Sequence, residues 1–434
     1  MLGGSSDGFE VAVQPREFRF PEDHGPHRRF RAEWWYFTGR MQARGATPRE
    51  FGFQLTFFRF AMRPSRTGPE DAAKDSAAKD MAAKGIAAGK IATRATSSWR
   101  TNEVWMAHFA VTDAAAGTFH SAEQFARGGA VGLAGVHADP LTVYVRNWQF
   151  RTHHDADFPW RLSAADAGVK LEVVLNSAEP IVLQGERGLS RKSAGRGNAS
   201  YYYSMPRLRG TGIVQVDGQS FAGTVEAWLD REWSTSALAN DQLGWDWFGL
   251  QLADDRELML YGLRRADGTW DRFSAGMLVD ANGDTTVLGV DDFELNPGEP
   301  TKLRSGRAYP LSWRIKVPAG RIDANVRAVM AEQEHGGRFP YWEGLVRVTD
   351  DAGNALGAGY LEMTGYDTPG AGGSAGGFQP EARTADSLAV WRTTMCSLRA
   401  ERSRFDCSQK GKMIGCRSSY AAFIVRRSLA LPSG

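Results

Sequence analysis

At 434 residues the chain is long enough for two or three domains, each with its own core. Its formal net charge of +2 gives no case for nucleic acid, and no run of about 18 or more apolar residues reads as a membrane-spanning helix. With 49 glycines and 14 tryptophans beside an ordinary 24% of charged residues, the composition suggests many short strands and turns.

Residues 1–15 read as an unstructured lead-in without the basic and apolar regions of a signal peptide. Arg16–Phe20 alternates, and a turn-forming stretch leads through His24-Gly25-Pro26-His27 to Glu33-Trp34-Trp35-Tyr36-Phe37-Thr38-Gly39. Consecutive aromatic residues favour a pleated surface, so residues 33–38 read as a strand. Alternation puts Glu33, Trp35 and Phe37 on one face and Trp34, Tyr36 and Thr38 on the other. Neither face is polar throughout, which predicts that the strand is covered on both sides.

Gly52–Phe60 reads as a second strand. Residues 63–98 break the pattern with Ala-Ala-Lys at 72–74, 77–79 and 82–84. A five-residue repeat does not match the helical period, so its lysines spiral, and the segment reads as a helical or disordered, solvated insert. Strand signals resume at Val104–Thr112, Leu141–Arg151, Trp160–Leu162 and Val169–Leu175. Beyond the Gly/Arg/Ser-rich stretch Gly185–Ser200 they continue at Tyr201–Tyr203, Gly212–Val216 and Gly223–Trp233.

The second half echoes the first. Trp245–Phe248 echoes the opening strand, Glu257–Arg264 echoes Gln54–Phe60, and Gly276–Asp280 echoes Phe109–Asp113. Trp313–Ile315 with Ile322–Ala328 echoes Trp160–Leu162 with Val169–Leu175. Gly344–Thr349 echoes Gly212–Asp217, and Gly359–Glu362 echoes Gly223–Glu226. Matches in one order suggest an ancient duplication of an all-β barrel or sandwich unit, joined near Ser234–Gly244. The expected organisation is a lead-in over 1–15, a first barrel over 16–236 and a second over 237–366. A Gly/Ala/Ser-rich linker and a loosely ordered basic tail then fill 367–434, where ten Lys/Arg stand against five Asp/Glu. Cys396, Cys407 and Cys416 all lie in that tail, so the main body can build neither a disulfide framework nor thiol chemistry.

His24, His27 and the pair His153-His154 lack metal-site spacing, so no metal is expected. Ser190 lies in a glycine-rich loop with no identifiable base. The chemistry points to acids on aromatic strands. In Trp228-Leu229-Asp230-Arg231-Glu232-Trp233, alternation puts Trp228, Asp230 and Glu232 on one face. Burial and mutual repulsion there raise at least one pKa, which suits proton donation near neutrality. Asp246 between Trp245 and Trp247, and Glu343 beside Tyr341 and Trp342, repeat the arrangement. His108, in an otherwise apolar strand, is the histidine expected to be buried. For each group a paired or hydrogen-bonded core role stands beside the catalytic one.

These motifs, with Met106–Asp113, Gly188-Leu189-Ser190-Arg191-Lys192, Tyr201-Tyr202-Tyr203-Ser204 and Gly359-Tyr360-Leu361-Glu362, together resemble the carotenoid 1,2-hydratase-like and AttH-like family. Its members are often labelled predicted secreted hydrolases, and the resemblance spans about residues 16–366. It implies two tandem lipocalin-like (calycin) antiparallel β-barrels with an apolar ligand pocket near their contact. It also implies hydration or cyclisation of polyene-like molecules without metal or organic cofactor. Periplasmic or secreted localisation and association with an ABC-type export system are implied too. The family's usual signal peptide is not visible here, which a start codon assigned too late would explain. A monomer is expected.

On this basis Asp230, Glu232, Glu33 and His108 are the expected catalytic residues. Asp230 would protonate a double bond or leaving group, and Glu33 or Glu232 would activate water. Trp34, Trp35, Tyr36, Tyr203, Trp228, Trp233, Trp245, Asp246, Trp247 and Tyr261 are the expected ligand-binding residues. A non-enzymatic carrier of an apolar ligand is the alternative, and a cofactor-free cyclase a third reading.

Overall fold

The computed structural model describes residues 6–45, 48–64, 101–129, 132–177, 179–236 and 238–366. The expected insert from residue 65 onward, and the expected tail with its three cysteines, lie outside the described residues. Among the described residues the structure is all-β, with short 3-10 turns and no α-helix, and so no helix long and apolar enough to cross a membrane.

Two large antiparallel sheets curl into near-barrels within one compact unit. In the first, Ala32–Ala43 lies between Arg49–Ala61 and Gln219–Ser234. Glu103–Asp113 and Thr118–Arg127 extend it on one side, and Ala199–Val216, Val169–Asn176 and Trp160–Asp166 on the other. In the second, Gln242–Leu252 lies between Glu257–Arg265 and Ala355–Met363. Ala275–Val279 and Thr285–Gly289 extend that sheet on one side, and Tyr341–Thr349, Ile322–Ala328 and Ser312–Val317 on the other. Over these eight strands of each sheet the two plans correspond, and each of the echoed segments falls on counterpart strands. This is the two-barrel, lipocalin-like architecture expected.

Alternation explains how each opening strand is covered twice. Trp35 and Phe37 point into the first barrel, which is filled by rings such as Phe53, Phe57, Phe109, Trp148 and Phe150. Phe248 and Leu250 point into the second, against Leu260, Trp313, Ile315 and Trp342. Rings of this size each stabilise the interior by about 3–5 kcal/mol, judged by what truncation costs. The opposite faces, bearing Tyr36 and Trp247, meet each other in a third apolar cluster.

Local backbone features aim side chains at this contact. Val216 pairs with Gln219 across Asp217-Gly218, both at positive φ (51° and 76°), a two-residue hairpin that sets the register of the strands on either side. That register places Ser204 opposite Asp230 and Tyr202 opposite Glu232. Further along, a bulge between Met205 and Leu208 contains Pro206, which has no N–H to give a ladder. The bulge turns Arg207 toward the second sheet. There its Nε donates to Glu257 at 2.5 Å and its Nη2 to the Leu252 carbonyl at 3.0 Å. Gln251 reciprocates, donating to the carbonyls of Pro206 and Ala227.

Candidate active site at the contact between the barrels

The contact is built from aromatic side chains of both sheets. Tyr36, Tyr202 and Trp228 of the first pack with Trp247, Met259, Tyr261, Leu345 and Tyr360 of the second. Trp247 takes Tyr36 edge-on at 5.3 Å and Trp228 at 5.9 Å. Trp34 and Trp245 are only partly buried against this cluster.

Asp230 is buried in it. Its Oδ1 accepts hydrogen bonds from Ser204 Oγ at 2.5 Å and Trp228 Nε1 at 2.7 Å, and its Oδ2 accepts from the Tyr202 hydroxyl at 2.5 Å. Trp247 Nε1 donates to the same Tyr202 oxygen at 3.3 Å. Burial pushes Asp230 up to about 7; the hydrogen bonds from Ser204, Tyr202 and Trp228 restrain the rise, and nearby Glu232 adds to it. A carboxyl in this range both gives and takes a proton near neutral pH.

Glu232, on the same strand face, lies 3.4 Å from Lys192 Nζ. Lys192 reaches in from the Gly/Arg/Ser-rich stretch, with its ammonium 4.2 Å from the Tyr261 ring centroid and 5.4 Å from that of Tyr202. Burial disfavours its charge, but Glu232 and Tyr261 outweigh this and raise it above the ordinary value. Ser190 is buried beside Tyr261, with the two hydroxyls 3.1 Å apart.

The second sheet supplies two more acids. Glu343 and Glu362 are register partners on neighbouring strands. Tyr36, reaching across from the first sheet, donates to Glu343 Oε1 at 2.7 Å, and Trp245 Nε1 donates to Glu362 Oε1 at 3.1 Å. Burial and the facing Glu362 carry Glu343 well above the carboxylate range. Burial, with repulsion from Asp230 and Glu232, pushes Glu362 up to about 8. His108 belongs to this part of the contact, with Nδ1 2.7 Å from the Tyr341 hydroxyl.

Several expected site residues lie elsewhere. Glu33 projects into the first barrel, paired with Arg59 and Arg231 and accepting from the His27 backbone N–H at 2.8 Å. Burial alone would raise it, but the two guanidiniums hold it well below the carboxylate range. It is a paired core acid on the opposite face of the sheet from Asp230, which corrects the expectation that it activates water there. Trp35 stacks under Arg231 at 3.9 Å, Trp233 stacks on His27 at 3.6 Å, and Tyr203 bonds His24 at 2.6 Å, all away from the contact. Asp246 turns into the second barrel, where Arg264 Nε lies 3.0 Å away and the Tyr366 hydroxyl donates to it at 3.0 Å. Burial nevertheless pushes it up to about 7. Asp230, Glu232, His108, Trp34, Tyr36, Trp228, Trp245, Trp247 and Tyr261 do come together. Glu362, Tyr202, Ser204, Lys192 and Tyr341 join them; most stood in the aromatic motifs, but no alternation within one strand shows that they converge.

The fold and this contact define a class: double-barrel, lipocalin-like proteins whose buried acids and indoles lie between the barrels. The AttH-like family model matches residues 11–366, so the chain belongs to the AttH-like family. An AttH protein of Nitrosomonas europaea has a similar structure, with a TM-score of 0.67 and 31% identity over 83% of this chain and 100% of that one. Kievitone hydratase of Nectria haematococca is similar in fold, with a TM-score of 0.56 and 15% identity over 83% of this chain and 98% of that one. No curated protein matches the sequence.

Proposed function

We propose that this protein is a hydratase-like enzyme that adds water across a double bond of a hydrophobic, polyene or lipid-like molecule. The observation carrying this reading is the Asp230 carboxyl, buried among indoles and oriented by Tyr202, Ser204 and Trp228, with burial pushing its pKa up to about 7. A structural neighbour that is a hydratase by name supports it at the level of fold.

In the reaction, the Asp230 O–H breaks as a C–H bond forms at one alkene carbon. Positive charge develops on the other carbon, against the faces of Trp228 and Trp247. Water then bonds to that carbon and gives a proton to Glu232, which Lys192 keeps in an ion pair. Return of that proton to Asp230 closes the cycle, so one water is consumed and no net proton. The partly buried Trp34 and Trp245 mark the rim at which an apolar substrate enters.

The test is Asp230→Asn assayed against a panel of polyenes and unsaturated lipids in ¹⁸O-water. Wild type incorporates one labelled oxygen per product. The variant loses about 10²–10⁴-fold in turnover, the range for a general acid, while still binding the same ligand. Full activity in the variant overturns the assignment. A carrier needs the aromatic contact but no proton on Asp230, so ligand binding by both proteins with no labelled product favours the carrier.

A further inference from the structure

Tyr341 sits at a junction of proton-bearing groups. The Gln54 side-chain amide donates to its hydroxyl oxygen at 2.9 Å, and His108 Nδ1 lies 2.7 Å from the same atom. Glu343, two residues along on the same strand face, is the other group that meets this hydroxyl. With Gln54 supplying one hydrogen, the hydroxyl's own hydrogen is shared with His108 Nδ1, and Glu343 on the same face, with Oε2 unpartnered, is the next carboxylate it can turn to. On the far side of the imidazole, Nε2 lies 3.2 Å from Glu123 Oε2, and the Glu123 side chain keeps 17% of its surface exposed. On the inner side, Tyr36 donates to Glu343 Oε1 at 2.7 Å, and Glu362 stands opposite Glu343 in register.

The surroundings keep this line of groups apart from bulk water. The His335 ring lies flat on Tyr341, at 4.8 Å and 1°, and stacks on His108 at 5.5 Å. Phe58 closes over the imidazole edge at 5.3 Å. His335 is itself pushed far below its ordinary pKa by burial and then by His108, so it stands as a neutral wall. Two buried polar atoms here, Glu343 Oε2 and His335 Nε2, have no hydrogen-bond partner, which is costly in a site built only for stability.

We propose that Glu123, His108 and Tyr341 form a proton path between solvent and the buried Glu343–Glu362 pair. An inward transfer starts with a protonated Glu123 and the Nδ1–H imidazole. Glu123 gives its proton to Nε2, Nδ1–H passes its hydrogen to the Tyr341 oxygen, and the Tyr341 O–H bond yields its hydrogen to the Glu343 carboxylate. Each intermediate group gains one hydrogen and loses one. These residues touch no reacting atom; they are positioning residues acting through Glu343. The inference rests on the hydratase reading only for the use of the path: Tyr36, which donates to Glu343 and is the register partner of Asp230, joins the stored protons to the contact where that acid sits.

The path is tested without any substrate. The infrared C=O band of the protonated buried carboxyls shifts when their hydrogens are replaced by deuterium, so stopped-flow mixing with D₂O times their exchange. Tyr341→Phe and His108→Gln should each keep the band but slow its shift tenfold or more relative to wild type. In His108→Gly, added imidazole should restore the rate. A purely structural role would move or abolish the band and would not be rescued. Exchange at the wild-type rate in folded Tyr341→Phe overturns the path. Should that variant fail to fold, Glu123→Gln at the partly exposed end is decisive, and an unchanged rate there overturns it equally. Absence of hydration by wild type refutes the proposed activity while leaving the exchange result standing; active wild type with unchanged exchange in the variants refutes the path alone.

Discussion

Glu343 and Glu362 face each other in register across two neighbouring strands of the second barrel, with Tyr36 of the first barrel reaching in to the pair. Like charges directly opposite destabilise a sheet, and burial adds to the penalty, so the pair holds protons at pH values where free glutamates have lost them.

Stability should therefore carry a signature of Glu362. Its folded pKa of about 8 lies above the ordinary 4.5, so between those values the folded protein keeps a proton that the unfolded chain has released. Its contribution is full below 4.5 and is lost as pH rises through 8, with a slope of up to about 1.4 kcal/mol per pH unit. Glu362→Gln has no proton to lose. Its midpoint of thermal unfolding should gain on wild type steadily from pH 5 to pH 8, a span of about 3 pH units. A constant difference across that range contradicts the assignment.

Glu33 should behave in the opposite sense. Its folded pKa is depressed by Arg59 and Arg231, so its contribution is present above the ordinary carboxylate pKa and lost as pH falls through the folded value. Glu33→Gln leaves two guanidiniums with 0% side-chain exposure without their carboxylate. The expected cost in urea unfolding is about 3–5 kcal/mol at neutral pH, with a shallower acid limb. A loss under about 1 kcal/mol, as for a surface pair, would make the triad unimportant.

The closeness of the barrels can be probed at Gly52. A Cβ there would meet the Tyr360 hydroxyl at 2.6 Å and Leu345 Cβ at 3.2 Å, both on the second sheet. Gly52→Val should cost about 1–3 kcal/mol and shift the emission of the buried Trp228 and Trp247 to the red as the faces part. Gly336→Ala, where a Cβ meets nothing within 4 Å, serves as the control and should stay within about 0.5 kcal/mol. Equal effects at both positions would mean that the contact is not packed as described.

Lys192 tests the pairing of Glu232. Lys192→Met keeps the apolar stem against Tyr202 and Tyr261 but removes the ammonium 3.4 Å from Glu232. Turnover should fall about tenfold or more with little change in ligand affinity, because the charge serves the water-activating step. A loss of affinity with unchanged turnover would place Lys192 in binding instead.

Much of the fold was legible because alternation and repetition are local signals. Trp34 to Thr38 announced a strand with two covered faces, and the echo at Trp245–Phe248 announced its counterpart. The acids were harder. Alternation says which residues share a face but not which face is the barrel interior, and at Glu33 and Asp246 both faces of the strand are apolar. The arginines that meet these acids, Arg59, Arg231 and Arg264, all come from neighbouring strands, and pairing across strands is not visible in one strand's alternation. Asp230 and Glu232 stand out because their strand carries two acids on one face. Glu362 does not stand out in the sequence because its meaning depends on standing opposite Glu343, and register across strands is not written in either strand alone.

The acids at the contact come from both halves. Asp230 and Glu362 lie on counterpart strands, Gln219–Ser234 and Ala355–Met363, each the partner of its own opening strand. A lone half could assemble such a centre only by dimerising with itself, and would then lose it on dilution. The short connection from Ser234 to Gln242 makes the encounter intramolecular. The centre thus persists at any protein concentration, and each half is free to specialise because it no longer has to fit its own copy.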